Sequence, residues 1–334
     1  MKFTENKNLK EFNTFNISSI AKLYIQLVNK DELSTLVETK EFKENKILFI
    51  GGGSNILLPD YFGGLVIHLN TKGIQIQEET DHFTVKVQAG ENWHEFIKYC
   101  IKNNLYGFEN LALIPGNVGT APIQNIGAYG VEQKDCFHSC EVFDINVNKF
   151  YNLSLEECKF SYRDSIFKNE LKNKAVITEV TYKFNKKPNY NLSYFELNEY
   201  FKDKEVNSKA IFDFVVETRN RKLPNPKVLG NCGSFFKNPI INKSHLEDLK
   251  HSYPEIRSFD YDDNHVKISA AWLIEKVGMK GYRDGDVGVS PNHALILVNY
   301  GQASSKDIFD LSTKIIKKVK SIFNIELERE VNIL

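Results

Sequence analysis

The chain predicts an α+β fold with sheets of mixed strand direction, and three observations carry that expectation. Helical periodicity is confined to a few well-separated segments, foremost 92–103 and 305–323. Between them lie short runs in which apolar and polar residues alternate, the period of strands. Strict strand–helix–strand alternation is missing, so a doubly wound dinucleotide fold fits poorly.

Taken in order, the first 70 residues read as a small α/β unit. Ala21–Val28 alternates as a strand, and 31–37 is a helix led by Asp31 and Glu32, whose charge suits the positive end of a helix dipole. Lys46–Ile50 is a short buried strand running into Gly51-Gly52-Gly53, and Leu65–Leu69 follows as another. From about residue 73 the texture becomes short alternating strands, such as Phe83–Val87. Trp93, Phe96, Ile97, Cys100 and Ile101 then form one apolar stripe over 92–103, and further strands are expected at 140–147 and 175–184. Another helix ends near Lys222, because Leu223-Pro224-Asn225-Pro226 removes amide donors and punctuates a domain boundary. Ser269–Val277 is a short helix with Ser269 as N-cap and Gly278 past its end. Ala294–Val298 reads as a strand. Ser305–Phe323 is a helix with Ile308, Leu311, Ile315, Val319 and Ile322 inward, and Ile325–Val331 closes as a strand with one acidic face.

At 334 residues the chain has length for about two domains. Hydrophobic residues at 42% and charged ones at 26% exclude a disordered chain. Lys+Arg and Asp+Glu both number 43, which argues against a large basic field for nucleic acid or an anionic membrane. No apolar run is long enough to span a bilayer, and no apolar leader follows Met1, so a cytoplasmic protein is expected. Cys100, Cys136, Cys140, Cys158 and Cys232 lack paired metal spacing. Cys136 and Cys140 are spaced for one helical turn, but no second pair completes a zinc site, and the His residues show no HExxH. Free thiols and no metal are the reading.

Two glycine-rich segments are candidates for chemistry. In Gly51-Gly52-Gly53-Ser54-Asn55 the glycines follow a buried strand, where positive φ lets backbone amides face one concavity and bind phosphate. No Lys-Ser/Thr follows, so it is not a Walker loop; alone, a ligand-free turn fits equally well. The second segment is Ile114–Gly130, which holds Pro115, Gly116, Asn117, Gly119, Thr120, Gln124, Asn125, Gly127, Ala128 and Tyr129 and almost no charge. Small uncharged residues suit backbone lying close against a large flat ligand, although tight helix–strand packing would also use them. Two such segments together favour a dinucleotide.

With Asn13-Thr14-Phe15, Phe160-Ser161-Tyr162-Arg163-Asp164-Ser165, Gly230-Asn231-Cys232-Gly233-Ser234-Phe235-Phe236-Lys237-Asn238-Pro239 and Glu328-Arg329-Glu330-Val331, these segments make a pattern running to Glu330. The chain resembles the UDP-N-acetylenolpyruvoylglucosamine reductases (UDP-N-acetylmuramate dehydrogenases), type I. The resemblance implies an FAD-binding domain of the vanillyl-alcohol-oxidase (PCMH) type in two subdomains, 1–70 and 71–222. A C-terminal α/β substrate-binding domain, 223–323, and a strand at 324–334 carrying Glu330 complete it.

The same resemblance implies that NADPH reduces FAD and leaves, and that the enolpyruvyl ether of UDP-N-acetylglucosamine then takes the hydride. It makes Ser234 the general acid, with Arg163 and Glu330 stabilising an enolate-like charge. Read alone, Ser234 is a turn residue, Arg163 pairs with Asp164, and Glu330 lies on a solvated face with Glu326 and Glu328. By resemblance Tyr162, Tyr194, Lys222, Asn238 and His293 contact substrate, and Tyr194 sits on a loop that closes over it. Arg219 would contact FAD or simply complement a helix C-terminus. Arg329 stands where the family usually has proline, and Cys232 where it usually has alanine; Cys232 reads as packing. A flavin oxidase and a nucleotide-sugar binding protein are the rival readings. Neither needs Ser234, Arg163 and Glu330 together. No nucleic acid and no obligate protein partner is implied.

Overall fold

The computed structural model describes all of residues 1–334 and divides into two compact units. The first comprises Met1–Lys7, Ala21–Gly52 and Gly63–Arg219; the second comprises Asn8–Ile20, Gly53–Phe62 and Asn220–Leu334. The first glycine segment is therefore divided, with Gly51 and Gly52 in one unit and Gly53 to Asn55 in the other.

The first unit holds two larger sheets and a two-stranded hairpin. A four-stranded one runs in the order Thr4–Asn8, Ile20–Leu27, Tyr61–Leu69, Ile47–Ile50, and its last pair is parallel, with Ile50 opposite His68. Leu33 and Leu36 of the short helix Glu32–Leu36 join Leu27, Leu65 and Ile67 in its core. The five-stranded sheet, antiparallel throughout, runs Lys149–Ser154, Phe137–Asp144, Ala175–Asn185, His82–Gln88, Ile74–Glu78. The helix Trp93–Lys102 starts where Asn92 accepts a hydrogen bond from the Glu95 amide at 3.1 Å. Four residues of its stripe are buried as expected, Trp93, Phe96, Ile97 and Cys100 packing with Phe108, Tyr182 and Phe184, while Ile101 at its end is half-buried against them. The strands expected at 140–147 and 175–184 are Phe137–Asp144 and Ala175–Asn185, and the helix before the prolines is Ser208–Lys222.

In the second unit, two three-stranded sheets join the helices Lys243–Ser252, Ala270–Lys276 and Ser305–Phe323 around one core. Ser269 accepts from the Trp272 amide and Gly278 has φ +69°, so the N-cap and terminator read from sequence are in place. The long helix has the expected bounds, with Ser304 and Asp307 bonded to each other at its start.

Four sequence expectations need correction. Ile322 is half-exposed, because in the last turn Phe323 is the side chain that meets the Tyr253 and Trp272 rings, at 5.0 and 5.7 Å. The strand at 294–298 is only Leu297–Asn299, since Ile296 donates to the His293 carbonyl and bends 293–296 into a turn. That apolar run is buried by the turn's packing, and an apolar run alone does not separate the two. Residues 325–331 are not a strand. Ile325, Leu327 and Val331 are buried in alternation against the core, but no neighbouring strand builds a ladder there; Arg329 makes a single bridge to Phe236, and the strand is Asn332–Ile333, parallel to Ile56–Leu57. Cys136 and Cys140 share no helical turn, because Cys140 belongs to the Phe137–Asp144 strand, where its Sγ lies 4.0 Å from that of Cys158. All five cysteines are free thiols.

Candidate active site

In the first unit the two glycine segments come together. Gly51 and Gly52 leave the strand Ile47–Ile50 with no side chain, and the second segment fills that space. A Cβ on Gly52 would lie 3.0 Å from the Gly116 Cα and from the Asn117 Oδ1; one on Gly51 would lie 3.0 Å from the Thr120 Cγ2. Backbone approaches backbone, as a close-fitting ligand loop requires. The second segment is pinned from below. Gly119 donates to the Ala89 carbonyl at 2.9 Å, Val118 to Glu91 at 2.8 Å, and Trp93 donates to Gly116 at 3.0 Å. Thr120 Oγ1 donates to the Asn117 carbonyl at 2.8 Å, and the Asn117 amide group donates to Gly90 at 3.3 Å.

Asn125 is buried with φ +46°, and its side chain is engaged by protein: it donates to Glu132 and Ser161 and accepts from Gln133 and Lys134. Gly127–Ala128 pairs with Val131–Glu132 as a small hairpin. The Arg163 guanidinium reaches this hairpin by donating to the Gly127 carbonyl at 2.7 Å. Arg163 has φ +56° and sits in a loop closed at its base by Ile166 donating to Cys158 and inside by paired bonds between Ser161 and Asp164. Its guanidinium carbon lies 5.3 Å from the centre of the Tyr162 ring.

Tyr129 and Gly130 both have positive φ. The Tyr129 ring meets that of Tyr194 edge-on at 5.0 Å, while Asn191 donates to the Gly130 carbonyl at 3.0 Å. Arg219, last residue of the first unit, has an Nε that is shielded from solvent and without a hydrogen-bond partner. Burial lowers its guanidinium pKa, and Tyr129 counteracts part of that shift. A shielded guanidinium Nε without a partner suits an anion, and glycine backbone suits a diphosphate. These residues fit the FAD expected from the resemblance.

The second unit positions the remaining groups. Gly53 has φ +57°, and a Cβ there would lie 1.9 Å from the Phe12 carbonyl oxygen. Ser54 follows it, and Asn55 is bonded to the tail: its side chain donates to the Glu330 carbonyl at 3.3 Å and its carbonyl accepts from the Asn332 amide at 3.1 Å. Asn231 donates to the Pro224 and Leu229 carbonyls and accepts from the Gly233 amide, which fixes the turn before Ser234. Ser234 is half-buried and bridges Ile296, while Phe235 and Phe236 are buried behind it. Glu330 donates through its amide to the Phe235 carbonyl at 2.8 Å. Cys232 is buried; burial first and Glu330 second push its thiol pKa up, so it packs, as the sequence suggested. Asn238 Oδ1 accepts from the Ala270 amide at 3.0 Å, and His293 Nδ1 accepts from Leu295 at 3.3 Å. Lys222 ends the helix Ser208–Lys222.

Sequence reasoning missed two residues here. His94 Nδ1 accepts from the amide of Leu113, a leucine at φ +59°, immediately before the second glycine segment. Its ring stacks on Phe212 at 5.5 Å, on the helix that carries Arg219. Its signal was a polar residue off the apolar stripe of a helix. Asn110 is buried and donates to the Tyr129 and Asn191 carbonyls at 2.8 and 2.9 Å, joining the second glycine segment to the Tyr194 loop. Nothing in its spacing marked it.

Residues 21–147 match a family described as FAD binding domain, and residues 225–334 match the UDP-N-acetylenolpyruvoylglucosamine reductase, C-terminal domain. A UDP-N-acetylenolpyruvoylglucosamine reductase of Flavobacterium johnsoniae is 46% identical over the whole of both chains. One from Amoebophilus asiaticus is 43% identical, again over the whole of both. The solved structure of such a reductase from Thermus caldophilus covers 99% of this chain and 98% of its own, with a TM-score of 0.67 at 23% identity, and shows the same fold.

Proposed function

Given that the chain belongs to the UDP-N-acetylenolpyruvoylglucosamine reductase family, we propose how its own residues divide the work of that reaction. The enzyme is an FAD-dependent oxidoreductase that uses NADPH to reduce the enolpyruvyl ether of UDP-N-acetylglucosamine to UDP-N-acetylmuramate, a step of peptidoglycan precursor synthesis. When bound, FAD would supply the hydride chemistry that links NADPH to the enolpyruvyl ether.

Gly51, Gly52, Gly53, Ser54 and Asn55 and the 115–129 segment hold the FAD, and Arg219 neutralises its diphosphate. The observation that carries this assignment is the unpartnered Arg219 Nε, whose guanidinium is electrostatically coupled to Tyr129 of the second glycine segment. Arg163 supplies a fixed cation where negative charge develops beside the substrate carboxylate. Ser234 donates the proton that completes the lactyl ether, and Glu330 acts with it. Tyr162, Tyr194, Lys222, Asn238 and His293 bind substrate, with Tyr194 and Lys222 serving the nucleotide diphosphate. For Asn238 the side-chain nitrogen is the contact, since its Oδ1 already accepts the Ala270 amide. In this reading 1–70 and 71–222 are the FAD-binding subdomains, 223–323 binds substrate, and 324–334 brings Glu330. The reaction takes place in the cytoplasm, where NADPH and UDP-sugars are found, and needs neither nucleic acid nor an obligate protein partner. No helix is long and apolar enough to cross a membrane.

The test is anaerobic visible spectroscopy of the purified protein, with NADPH added before the enolpyruvyl substrate. A flavin band that bleaches and then returns supports the assignment. Bleaching without return points to another electron acceptor, and a protein that stays colourless after FAD addition removes the flavin reading.

A further inference from the structure

Glu330 lies on a segment with little regular structure to hold it. Residues 325–331 form no ladder, and around Glu330 the backbone is tied by Lys237 donating to the Glu328 carbonyl at 2.9 Å, Glu330 donating to Phe235 at 2.8 Å and the Asn55 side chain donating to the Glu330 carbonyl at 3.3 Å. The buried side chains Ile325, Leu327 and Val331 keep the segment on the core. Apolar burial is non-directional, however, and resists sliding only weakly.

Arg329 adds a side-chain anchor to these backbone bonds. Its Nε donates to Ser312 Oγ at 2.8 Å and its second guanidinium nitrogen to Thr313 Oγ1 at 2.6 Å, so the rigid fork grips two hydroxyls of the helix Ser305–Phe323. The guanidinium carbon also lies 4.6 Å from the centre of the Phe309 ring, one turn earlier. Ser312 itself is otherwise hard to explain, being a fully buried hydroxyl next to the inward residues Ile308, Leu311 and Ile315. Receiving the Arg329 fork while donating to the Phe309 carbonyl at 2.6 Å accounts for it.

We propose that Arg329, gripped by Ser312 and Thr313 over the Phe309 ring, is a positioning residue that sets Glu330 for the substrate half-reaction. The inference rests on the role given to Glu330 above. A carboxyl displaced by about 1 Å can forfeit about a hundredfold in rate, so a device that fixes the preceding residue acts directly on turnover. The fork needs both hydroxyls and the planar guanidinium; a positive charge alone does not replace it.

The experiment uses the FAD-loaded full chain carrying Arg329→Gln, Arg329→Lys, the double change Ser312→Ala with Thr313→Val, and Glu330→Gln as reference. Flavin reduction by NADPH and reoxidation by the enolpyruvyl substrate are followed separately by stopped flow. Substrate affinity for the oxidised enzyme is measured by calorimetry, and melting temperatures are compared. We expect reoxidation to slow by about tenfold to a hundredfold in all three Arg329 and hydroxyl variants, with reduction by NADPH and substrate affinity nearly unchanged. Wild-type reoxidation in Arg329→Lys would mean that charge, not the fork, matters, and would overturn the proposal. Equal slowing of both half-reactions would also overturn it, by showing a general structural role. Should Glu330→Gln reoxidise at the wild-type rate, the role of Glu330 itself fails and the proposal falls with it. If Glu330→Gln is slow while the fork variants are not, only the positioning role fails.

Discussion

The Glu330 amide donates to the Phe235 carbonyl at 2.8 Å, so the segment carrying one proposed catalytic group is bonded to the residue after the other, Ser234. Arg329 bridges Phe236 next along, and Lys237 donates to Glu328 beyond it. The two segments lie far apart in sequence, and backbone bonds, not a shared element, hold them in register.

Removing the Ser234 hydroxyl separates proton delivery from the rest of the reaction. In Ser234→Ala, reduction of the flavin by NADPH should continue while reoxidation by the enolpyruvyl substrate slows by about 10²–10⁴-fold. Stopped-flow absorbance in each half-reaction reads this, and equal loss in both would remove the proton-donor assignment.

Arg219→Met should have two effects of opposite sign. Replacing a buried guanidinium whose Nε lacks a partner with an apolar chain relieves a desolvation cost, so the FAD-free protein should melt at a higher temperature. FAD affinity should fall by about tenfold to a hundredfold, the worth of a charge-assisted hydrogen bond. Calorimetric titration of FAD and a thermal melt of the stripped protein measure the pair.

Gly53 and Gly285 both have positive φ, +57° and +56°, but only Gly53 is crowded by backbone. Gly285→Ala should cost about 1 kcal/mol, the strain of the left-handed conformation. Gly53→Ala should cost at least about 3 kcal/mol, because its Cβ would also collide with the Phe12 carbonyl. Urea titrations of the two variants give the difference directly, and equal midpoints would refute the crowding argument.

Burial holds the His94 pKa below its ordinary value, with Lys98 and Arg219 acting in the same direction and Glu95 against them. In the folded state the ring is neutral and its Nδ1 accepts from Leu113. The unfolded chain therefore binds the proton more readily, and stability present above about pH 6.5 is lost as pH falls through the folded value. His68, also lowered by burial, adds to the same decline. His94→Asn keeps an acceptor for Leu113 and cannot titrate, so its melting temperature should fall less between pH 7 and pH 5 than that of the wild type. Parallel pH profiles would exclude His94 as a contributor.

Much of this arrangement was readable from residues alone, where local physics decides the outcome. The stripe from Trp93 to Cys100, the caps at Ser269 and Gly278 and the proline stop after Lys222 depend on near neighbours, and all three hold. The packing of Gly51 and Gly52 against Gly116 was not legible, because glycine spacing says nothing of which loop fills the space left by a missing Cβ. The tail misled for a related reason. Alternation in Ile325, Glu326 and Leu327 reports one buried side, and only long-range neighbours determine whether a ladder forms there. Asn110 and His94 act on backbone distant in sequence, which no local pattern encodes.

The second unit draws on Asn8–Ile20 and Gly53–Phe62 as well as on everything after Arg219. Phe15, Ile17 and Leu57 are buried in the same core as Leu273, Ile315 and Phe323. During synthesis those early segments leave the ribosome long before their partners exist, and their apolar side chains stay exposed until the last hundred or so residues follow. Vectorial folding can complete the sheets of the first unit early but not this core, which leaves a long interval in which a chaperone has something to hold.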